Sequence, residues 1–158
     1  MKTAIFPGSF NPFTKGHHDI VCRALTIFDK IVIGIGYNPD KPQPEDLPER
    51  LQQIKDIYNN NSRIEVETYN DLTIDFAKRH NATAIVKGVR SVQDFEYERT
   101  QAEYNRMLSN GIETVFLFAN PIYASLSSSL VRTLKTFGKD TSNNRRSEER
   151  RVGKECRS

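Results

Sequence analysis

Short apolar runs alternate with helix-length amphipathic segments along this chain, and this alternation restricts the possible folds more than any other feature. Five runs read as short strands, at 3–6, 30–36, 63–69, 82–88 and 114–119. The segments between and after them repeat apolar residues at helical spacing and predict helices over 17–28, 48–59, 73–80, 94–109 and 127–137. Alternating strands and helices form right-handed βαβ units. The sequence therefore predicts a single-domain α/β fold, a five-stranded parallel sheet with helices on both faces.

The loop after the first strand carries the strongest functional signal. Open parallel sheets bind ligands at the carboxyl ends of their strands, at the point where the strand order reverses. There the sequence reads GSFNPFTKGH over residues 8–17, in which Gly8 and Ser9 follow the strand and Gly16 opens the next helix. Backbone N–H groups and a helix N-terminus in one loop attract phosphate. We therefore expect a phosphate-binding site in this loop.

Charge and apolar content argue against two other classes of partner. Residues 139–158 hold seven Lys/Arg and four Asp/Glu, so they account for the whole net charge of +3 and leave a neutral body. The basic surface of a nucleic-acid-binding protein is therefore not expected. No apolar run approaches the ~20 residues that a membrane span needs. Cys22 and Cys156 lack metal-ligand spacing, which favours a reduced, cytoplasmic protein.

The end of the chain differs from the rest in composition. After Phe137 the only apolar residues are Val152 and Cys156, so this stretch cannot bury a face. Residues 146–158 also resemble the translation of a sequencing adapter. We therefore expect one domain over 1–138 and a polar tail over 139–158 that is disordered or a non-native scar.

Three segments together resemble a known family. FPGSFNPFTKGH (6–17) is similar to the signature of nucleotidylyltransferases that carry a (T/H)xGH motif, and VKGVRSVQDFEYE (86–98) and SLSSSLVR (125–132) resemble the bacterial phosphopantetheine adenylyltransferases within that group. The resemblance covers residues 2 to about 138. It implies a Rossmann-like fold and transfer of AMP from ATP to phosphopantetheine, which yields dephospho-CoA and pyrophosphate. It also implies Mg²⁺, a homohexamer and coenzyme A as a possible feedback ligand.

The resemblance also assigns roles to particular residues. His17 matches the motif histidine, which would donate a hydrogen bond to the α-phosphate as negative charge builds there. The neighbouring His18 falls where the family often has an apolar residue, and we expect it only on the helix surface. The ATP-binding set implied by the resemblance is Ser9, Phe10, His17, Gly88, Val89, Arg90, Glu98, Tyr123, Ala124, Ser125, Leu126, Ser127, Ser128 and Ser129.

The acceptor side is implied by the same resemblance. Its residues are Ser9, Lys41, Thr73 and Lys87. The family commonly has arginine at the position of Lys87, and lysine keeps the charge but loses the planar fork. No carboxylate cluster in the sequence indicates a protein-held metal, so we expect Mg²⁺ to be held mainly by phosphates and water.

Competing interpretations remain at this stage. GIGYNP (34–39) begins like a dinucleotide-binding GxGxxG motif, but Pro39 stands at its sixth position and no helix start is expected there. A related nucleotidylyltransferase that uses another phosphorylated acceptor is the nearest alternative. A non-catalytic nucleotide-binding module is the alternative from another class, and the retention of His17, Lys41 and Arg90 argues against it.

Overall fold

A computed structural model describes residues 1–123 and 133–138 of the chain. Five strands form one sheet in the order β3-β2-β1-β4-β5, and every neighbouring pair is parallel. The strands are β1 Thr3–Gly8, β2 Lys30–Gly36, β3 Ile64–Tyr69, β4 Ala84–Val89 and β5 Glu113–Phe118. The helices are α1 Lys15–Ala24, α2 Leu47–Ile57, α3 Thr73–Arg79 and α4 Val92–Ser109, and a 3₁₀ helix follows at Pro121–Tyr123. The predicted fold class is confirmed.

The strand order reverses between β1 and β4. The chain first runs outward from β1 through β2 to β3, and then returns to the other side of β1 for β4 and β5. The carboxyl ends of β1 and β4 therefore border the crevice in which sheets of this kind bind ligands.

Both faces of the central strands are covered. Phe6 and Ile33 belong to the apolar cluster that packs under α1 and α2. Ile5 and Val32, one residue before each of them, pack with Phe76 of α3 on the opposite face. Because side chains alternate along a strand, strands covered on both faces read as continuous apolar runs.

The first helix differs from its predicted range of 17–28. It begins two residues earlier because the Thr14 hydroxyl caps its N-terminus. It ends at Ala24 because the following residues turn toward β2, where the Arg63 guanidinium bonds the carbonyl oxygens of Leu25 (2.6 Å) and Phe28 (3.0 Å). The Arg63 contacts join residues that are far apart in the sequence, so the spacing of apolar residues cannot predict this helix end.

The long charged helix α4 ends where the sequence predicts. Asn110 closes it in the left-handed conformation with φ 59°. No helix in the described part of the chain combines the length and the apolar character of a membrane span. Of the last predicted helix, over 127–137, the structure describes only 133–137, of which 133–136 are helical. The predicted tail over 139–158 lies outside the described residues.

Candidate active site

A cavity of about 670 Å³ opens at the carboxyl ends of β1 and β4. The loop after β1, the first turn of α1, the end of β4 and one residue of α4 contribute to its lining. Seven of the predicted site residues line it: Ser9, Phe10, His17, Lys87, Gly88, Arg90 and Glu98. The cavity therefore lies at the reversal of strand order, as the sequence predicts.

Phe10 shapes the loop after β1. Its backbone is left-handed with φ 48°, and its side chain is only 3% exposed. The ring packs edge-on against Phe6 at 5.1 Å between centroids, and its nearest atom lies 3.0 Å from where a Cβ on Gly8 would stand. A side chain at position 8 would displace this ring. Because the ring is buried beneath the loop, the loop backbone faces the cavity.

The His17 imidazole is held by the start of its own helix. Its Nδ1 accepts a hydrogen bond from the Thr14 backbone N–H at 2.9 Å, while the Thr14 hydroxyl accepts from the His17 backbone N–H at 3.4 Å. A nitrogen that accepts from an N–H carries no hydrogen itself, so the neutral ring carries its hydrogen on Nε2. This capping box fixes both the tautomer and the orientation of the ring.

The surroundings of His17 keep its ring neutral. Burial, and secondarily the charge of Arg90, lower the pKa of His17 to about 4. The rings of Phe10 and Phe13 lie 5.1 and 5.4 Å from the imidazole centroid and shield those sides of it from water. At neutral pH the group is therefore a neutral donor through Nε2–H, beside a helix N-terminus that itself favours anions.

The end of β4 supplies the cationic wall of the cavity. Lys87 Nζ lies 3.4 Å from Glu98 Oε2 of α4, and both side chains are largely buried. Arg90 is exposed one residue beyond the strand. Gly88 lies close to α1, because a Cβ there would stand 3.3 Å from the Ile20 side chain. Positive groups and hydroxyls around one cavity suit a ligand with several phosphates.

The remaining predicted residues lie elsewhere. Lys41 lies in the exposed loop after β2, and Thr73 begins α3 with its hydroxyl 3.1 Å from that of Tyr69. Val89 is buried at 2% exposure. Tyr123 ends the 3₁₀ helix. The predicted ATP-binding residues 124–129 lie outside the described residues.

His18 is hydrogen-bonded and stacked against a residue at the end of α2, whereas the sequence predicts it only on the helix surface. Its Nδ1 is hydrogen-bonded to the Tyr58 hydroxyl at 2.7 Å, and the two rings stack at 5.6 Å. Burial raises the pKa of Tyr58, which keeps that hydroxyl protonated. His18 is not one of the described residues that line the cavity. Its position joins α1 to the end of α2, which is a structural role.

One group of possible metal ligands occurs outside the cavity. Glu65 and Glu67 of β3 and His80 after α3 bring one donor atom each within 4.8 Å of one another. His80 Nε2 already bonds Glu67 at 2.5 Å, and Lys30 bonds Glu65 at 2.6 Å. In the described part of the cavity wall the only carboxylate is that of Glu98. A protein-held metal cage is therefore not found among the described residues of the cavity wall.

The cavity also contains residues that sequence analysis did not single out. They are Phe6, Pro7, Asn11, Pro12, Thr14, Lys15, Ile20 and Ala119. Thr14 was detectable, because threonine is a preferred N-cap residue and the following residues carry the helical pattern. Ile20 and Ala119 are apolar residues that the sequence places in the core. The packing of α1 against β4 brings Ile20 to the cavity, and a backbone hydrogen bond from the Ala119 N–H to the Val89 carbonyl (2.8 Å) brings Ala119 there.

Comparison with known proteins identifies the class first. The cytidylyltransferase-like family matches residues 5–134, nearly all of the described chain. The chain is thus a nucleotidyltransferase. It is 50% identical over 142 residues to the phosphopantetheine adenylyltransferase of Bacteroides thetaiotaomicron. The aligned region covers 90% of this chain and 93% of that protein. It is 42% identical over 138 residues to the phosphopantetheine adenylyltransferase of Caldanaerobacter subterraneus, and that aligned region covers 87% of this chain and 86% of that protein. The chain belongs to the phosphopantetheine adenylyltransferase family.

Solved structures agree on the fold. The bifunctional NMN adenylyltransferase/ADP ribose pyrophosphatase of Francisella tularensis superposes with a TM-score of 0.58 at 16% identity, over 96% of this chain and 51% of that chain. A second structure of that protein, complexed with AMP and a Mn ion, gives 0.52 at 18% identity, over 90% and 43%. At such identities the similarity concerns the fold alone.

Proposed function

We propose that this chain transfers AMP from ATP to phosphopantetheine and releases pyrophosphate. Family membership supports the reaction, and the cavity supports it chemically. The observation that carries the proposal is the tethered, neutral His17 at the N-terminus of α1, inside a cavity lined by Lys87 and Arg90. Phosphoryl transfer needs positioning and charge stabilisation far more than covalent help from the protein.

The reaction balances without a general base. A phosphate oxygen of the acceptor attacks the α-phosphorus of ATP, and the bond from that phosphorus to the bridging oxygen of the β-phosphate breaks. Pyrophosphate leaves with the bonding electrons, and the product is dephospho-CoA. The second pKa of a phosphate monoester is ~6, so the attacking oxygen is already ionised at neutral pH. No residue has to remove a proton.

The protein stabilises the charge that develops in this step. His17 Nε2–H donates to a non-bridging α-phosphate oxygen, and the N–H groups of the first turn of α1 add a positive field. Arg90 pairs with the nucleotide phosphates, and Ser9 bridges the two substrates with its hydroxyl. On the acceptor side, Lys41, Thr73 and Lys87 form the binding set.

Magnesium accompanies ATP in this proposal. The described cavity wall offers hydroxyls and basic groups and one carboxylate, which is already paired with Lys87. That donor set suits an ion carried by the phosphates and water rather than one held by the protein. The ion would neutralise phosphate charge. Coenzyme A as a feedback ligand and a cytoplasmic location complete the proposal; the first rests on the family resemblance and the second on the cysteine usage of the sequence.

A panel of acceptors tests the proposed reaction. With ATP and Mg²⁺, pyrophosphate release is expected with phosphopantetheine and not with nicotinate mononucleotide or glycerol phosphate. The two latter acceptors are phosphorylated but lack the pantetheine chain. A coupled pyrophosphate assay on the purified chain measures this. Equal turnover with either of the other acceptors would refute the acceptor assignment, and no release with any acceptor would favour a non-catalytic nucleotide-binding module.

We also propose a homo-oligomer, a hexamer by family resemblance. Helix α4 leaves large apolar side chains exposed, among them Tyr97 (66%), Met107 (79%) and Leu108 (59%), and Phe118 at the end of β5 is 76% exposed. A surface of this kind suits a second copy of the chain better than water. Sedimentation velocity on the full chain should give a hexamer that Met107→Glu weakens, and a monomeric wild type would contradict the proposal.

A further inference from the structure

Arg50 of α2 contacts the phosphate-binding loop from behind. Its Nη1 donates a hydrogen bond to the Ser9 carbonyl oxygen at 3.0 Å, and its Nη2 pairs with Asp46 one helical turn earlier. The side chain is only 11% exposed. Arg50 is not part of the described cavity wall, whereas Ser9 and Phe10 are. The loop therefore lies between Arg50 and the cavity.

The burial of this guanidinium has a cost that its own contacts do not explain. Arg50 Nε is buried and has no hydrogen-bond partner among the described residues. A buried donor without a partner destabilises the folded state. Asp46 is 55% exposed, so an ion pair with it does not require the arginine to be buried. The bond to the Ser9 carbonyl is the other contact of this guanidinium, and it holds the side chain against the loop.

That bond sets the orientation of one peptide group. The Ser9–Phe10 peptide is trans, since the cis bond of this loop is Asn11–Pro12. In a trans peptide the C=O and the N–H point in opposite directions. Arg50 draws the Ser9 carbonyl toward α2, so the Phe10 N–H points away from α2. Within the described part of the chain this N–H has no hydrogen-bond partner.

We infer that Arg50 is a positioning residue for the phosphates of the nucleotide: by holding the Ser9 carbonyl it presents the Phe10 N–H to the cavity as an anion donor. The inference rests on the proposed function, because it takes ATP as the ligand. Arg50 itself touches no substrate. The left-handed backbone of Phe10 and the buried Phe10 ring keep the presented peptide in place from the other side.

The test compares ligands with and without phosphates. Arg50→Met keeps the length and apolar stem of the side chain and removes the bond to Ser9. Dissociation constants for ATP and for adenosine are measured by calorimetry or competition, with no acceptor present. We expect ATP to bind about tenfold more weakly. Adenosine should stay within about twofold of wild type, because it carries no group for the Phe10 N–H. A purely structural role would not change the ratio of the two constants.

Arg63 provides a matched control. It is also an arginine that bonds backbone carbonyls, those of Leu25, Phe28 and Asp29, but it lies before β3 at the opposite end of the sheet. Arg63→Met should lower the melting temperature and leave the ATP-to-adenosine ratio at the wild-type value. The same change of ratio in both variants would overturn the inference, as would an unchanged ratio in Arg50→Met.

Arg50→Lys keeps the test decisive if Arg50→Met does not fold. A single ammonium cannot reproduce the fork that bonds Ser9 and Asp46 together, so ATP should bind at least about threefold more weakly, with adenosine unchanged. A wild-type ratio in Arg50→Lys would then overturn the inference. Because binding is measured without acceptor, a chain that bound ATP normally but released no pyrophosphate would refute the proposed reaction and leave the role of Arg50 intact.

Discussion

Replacement of His17 by alanine is expected to lower turnover with ATP and phosphopantetheine by on the order of 10²–10³-fold, the effect of removing one donor aimed at developing charge. The Nδ1 bond to the Thr14 N–H fixes the ring so that Nε2–H is the free donor in the cavity. Because this hydrogen bond strengthens as charge builds in the transition state, ATP affinity should change much less than turnover. Steady-state kinetics and circular dichroism of the purified variant check both points.

His18 supplies the adjacent control. Its bond to Tyr58 stabilises the packing of α1 on α2, so His18→Ala should cost about 1 kcal/mol of stability, the usual value of one such bond. Turnover should stay within a few-fold of the parent. Comparable losses of turnover at both positions, or a larger loss at His18, would show that the wrong histidine has been assigned.

The pKa of His17 adds a pH dependence with a defined sign. Folding lowers this pKa to about 4 from its usual 6.5. Between these values the unfolded chain binds a proton that the folded chain does not, so this group makes stability fall as pH falls from about 6.5 toward 4. Above pH 6.5 His17 is neutral in both the folded and the unfolded chain, so it does not make stability depend on pH. Melting curves of the wild type and of His17→Ala over this range should converge as pH falls, and parallel curves would argue against a depressed pKa.

Most of the fold could be predicted from the sequence because its strands are buried on both faces. Continuous apolar runs identify such strands directly, and β2 at Lys30–Gly36 matches its predicted bounds. The helix bounds were less accurate. The early start of α1 depends on Thr14 as a cap, and its early end depends on Arg63, which lies 38 residues from Leu25 in the sequence.

The site residues that lie in one loop could be predicted from a short motif. A residue that the fold brings to that loop from elsewhere in the sequence was missed. His17 and Ser9 lie in one loop, so a short motif contains them. Arg50 lies 41 residues from Ser9 and looks like one more charged residue of an amphipathic helix. Lys41 and Thr73 follow β2 and β3, on the far side of β1 from β4, and the described cavity wall does not include them. Their assignment to the acceptor stays a prediction.

The ion pair at the end of β4 could not be foreseen from sequence spacing. Without the family resemblance, Glu98 would be interpreted as a partner for a neighbour one turn away on an exposed helix face. Instead it is paired with Lys87, eleven residues earlier, and its side chain is 19% exposed. In this structure the lysine that should bind the acceptor is thus neutralised by a residue expected on the ATP side.

Lys87→Ala is expected to weaken phosphopantetheine binding by about 1.5–3 kcal/mol, the range for one charge-assisted hydrogen bond. That range corresponds to about 10- to 150-fold in the apparent affinity for the acceptor. Lys87→Arg should be tolerated, because the family commonly has arginine there and a guanidinium can still pair with Glu98. Initial rates over a series of phosphopantetheine concentrations, at saturating ATP, measure the effect.

Lys30 is the matched control for this prediction. It too is a lysine paired with a glutamate, Glu65 at 2.6 Å, and its side chain is 24% exposed against 25% for Lys87. It lies at the amino end of β2, away from the cavity, so Lys30→Ala should remove a similar ion pair without changing the apparent affinity for phosphopantetheine. If Lys87→Ala behaved like Lys30→Ala, the Lys87–Glu98 pair would be only structural. A loss at Lys87 alone would place the acceptor phosphate, whose oxygen attacks the α-phosphorus, at the end of β4, on the same cavity as the nucleotide that His17 is proposed to contact.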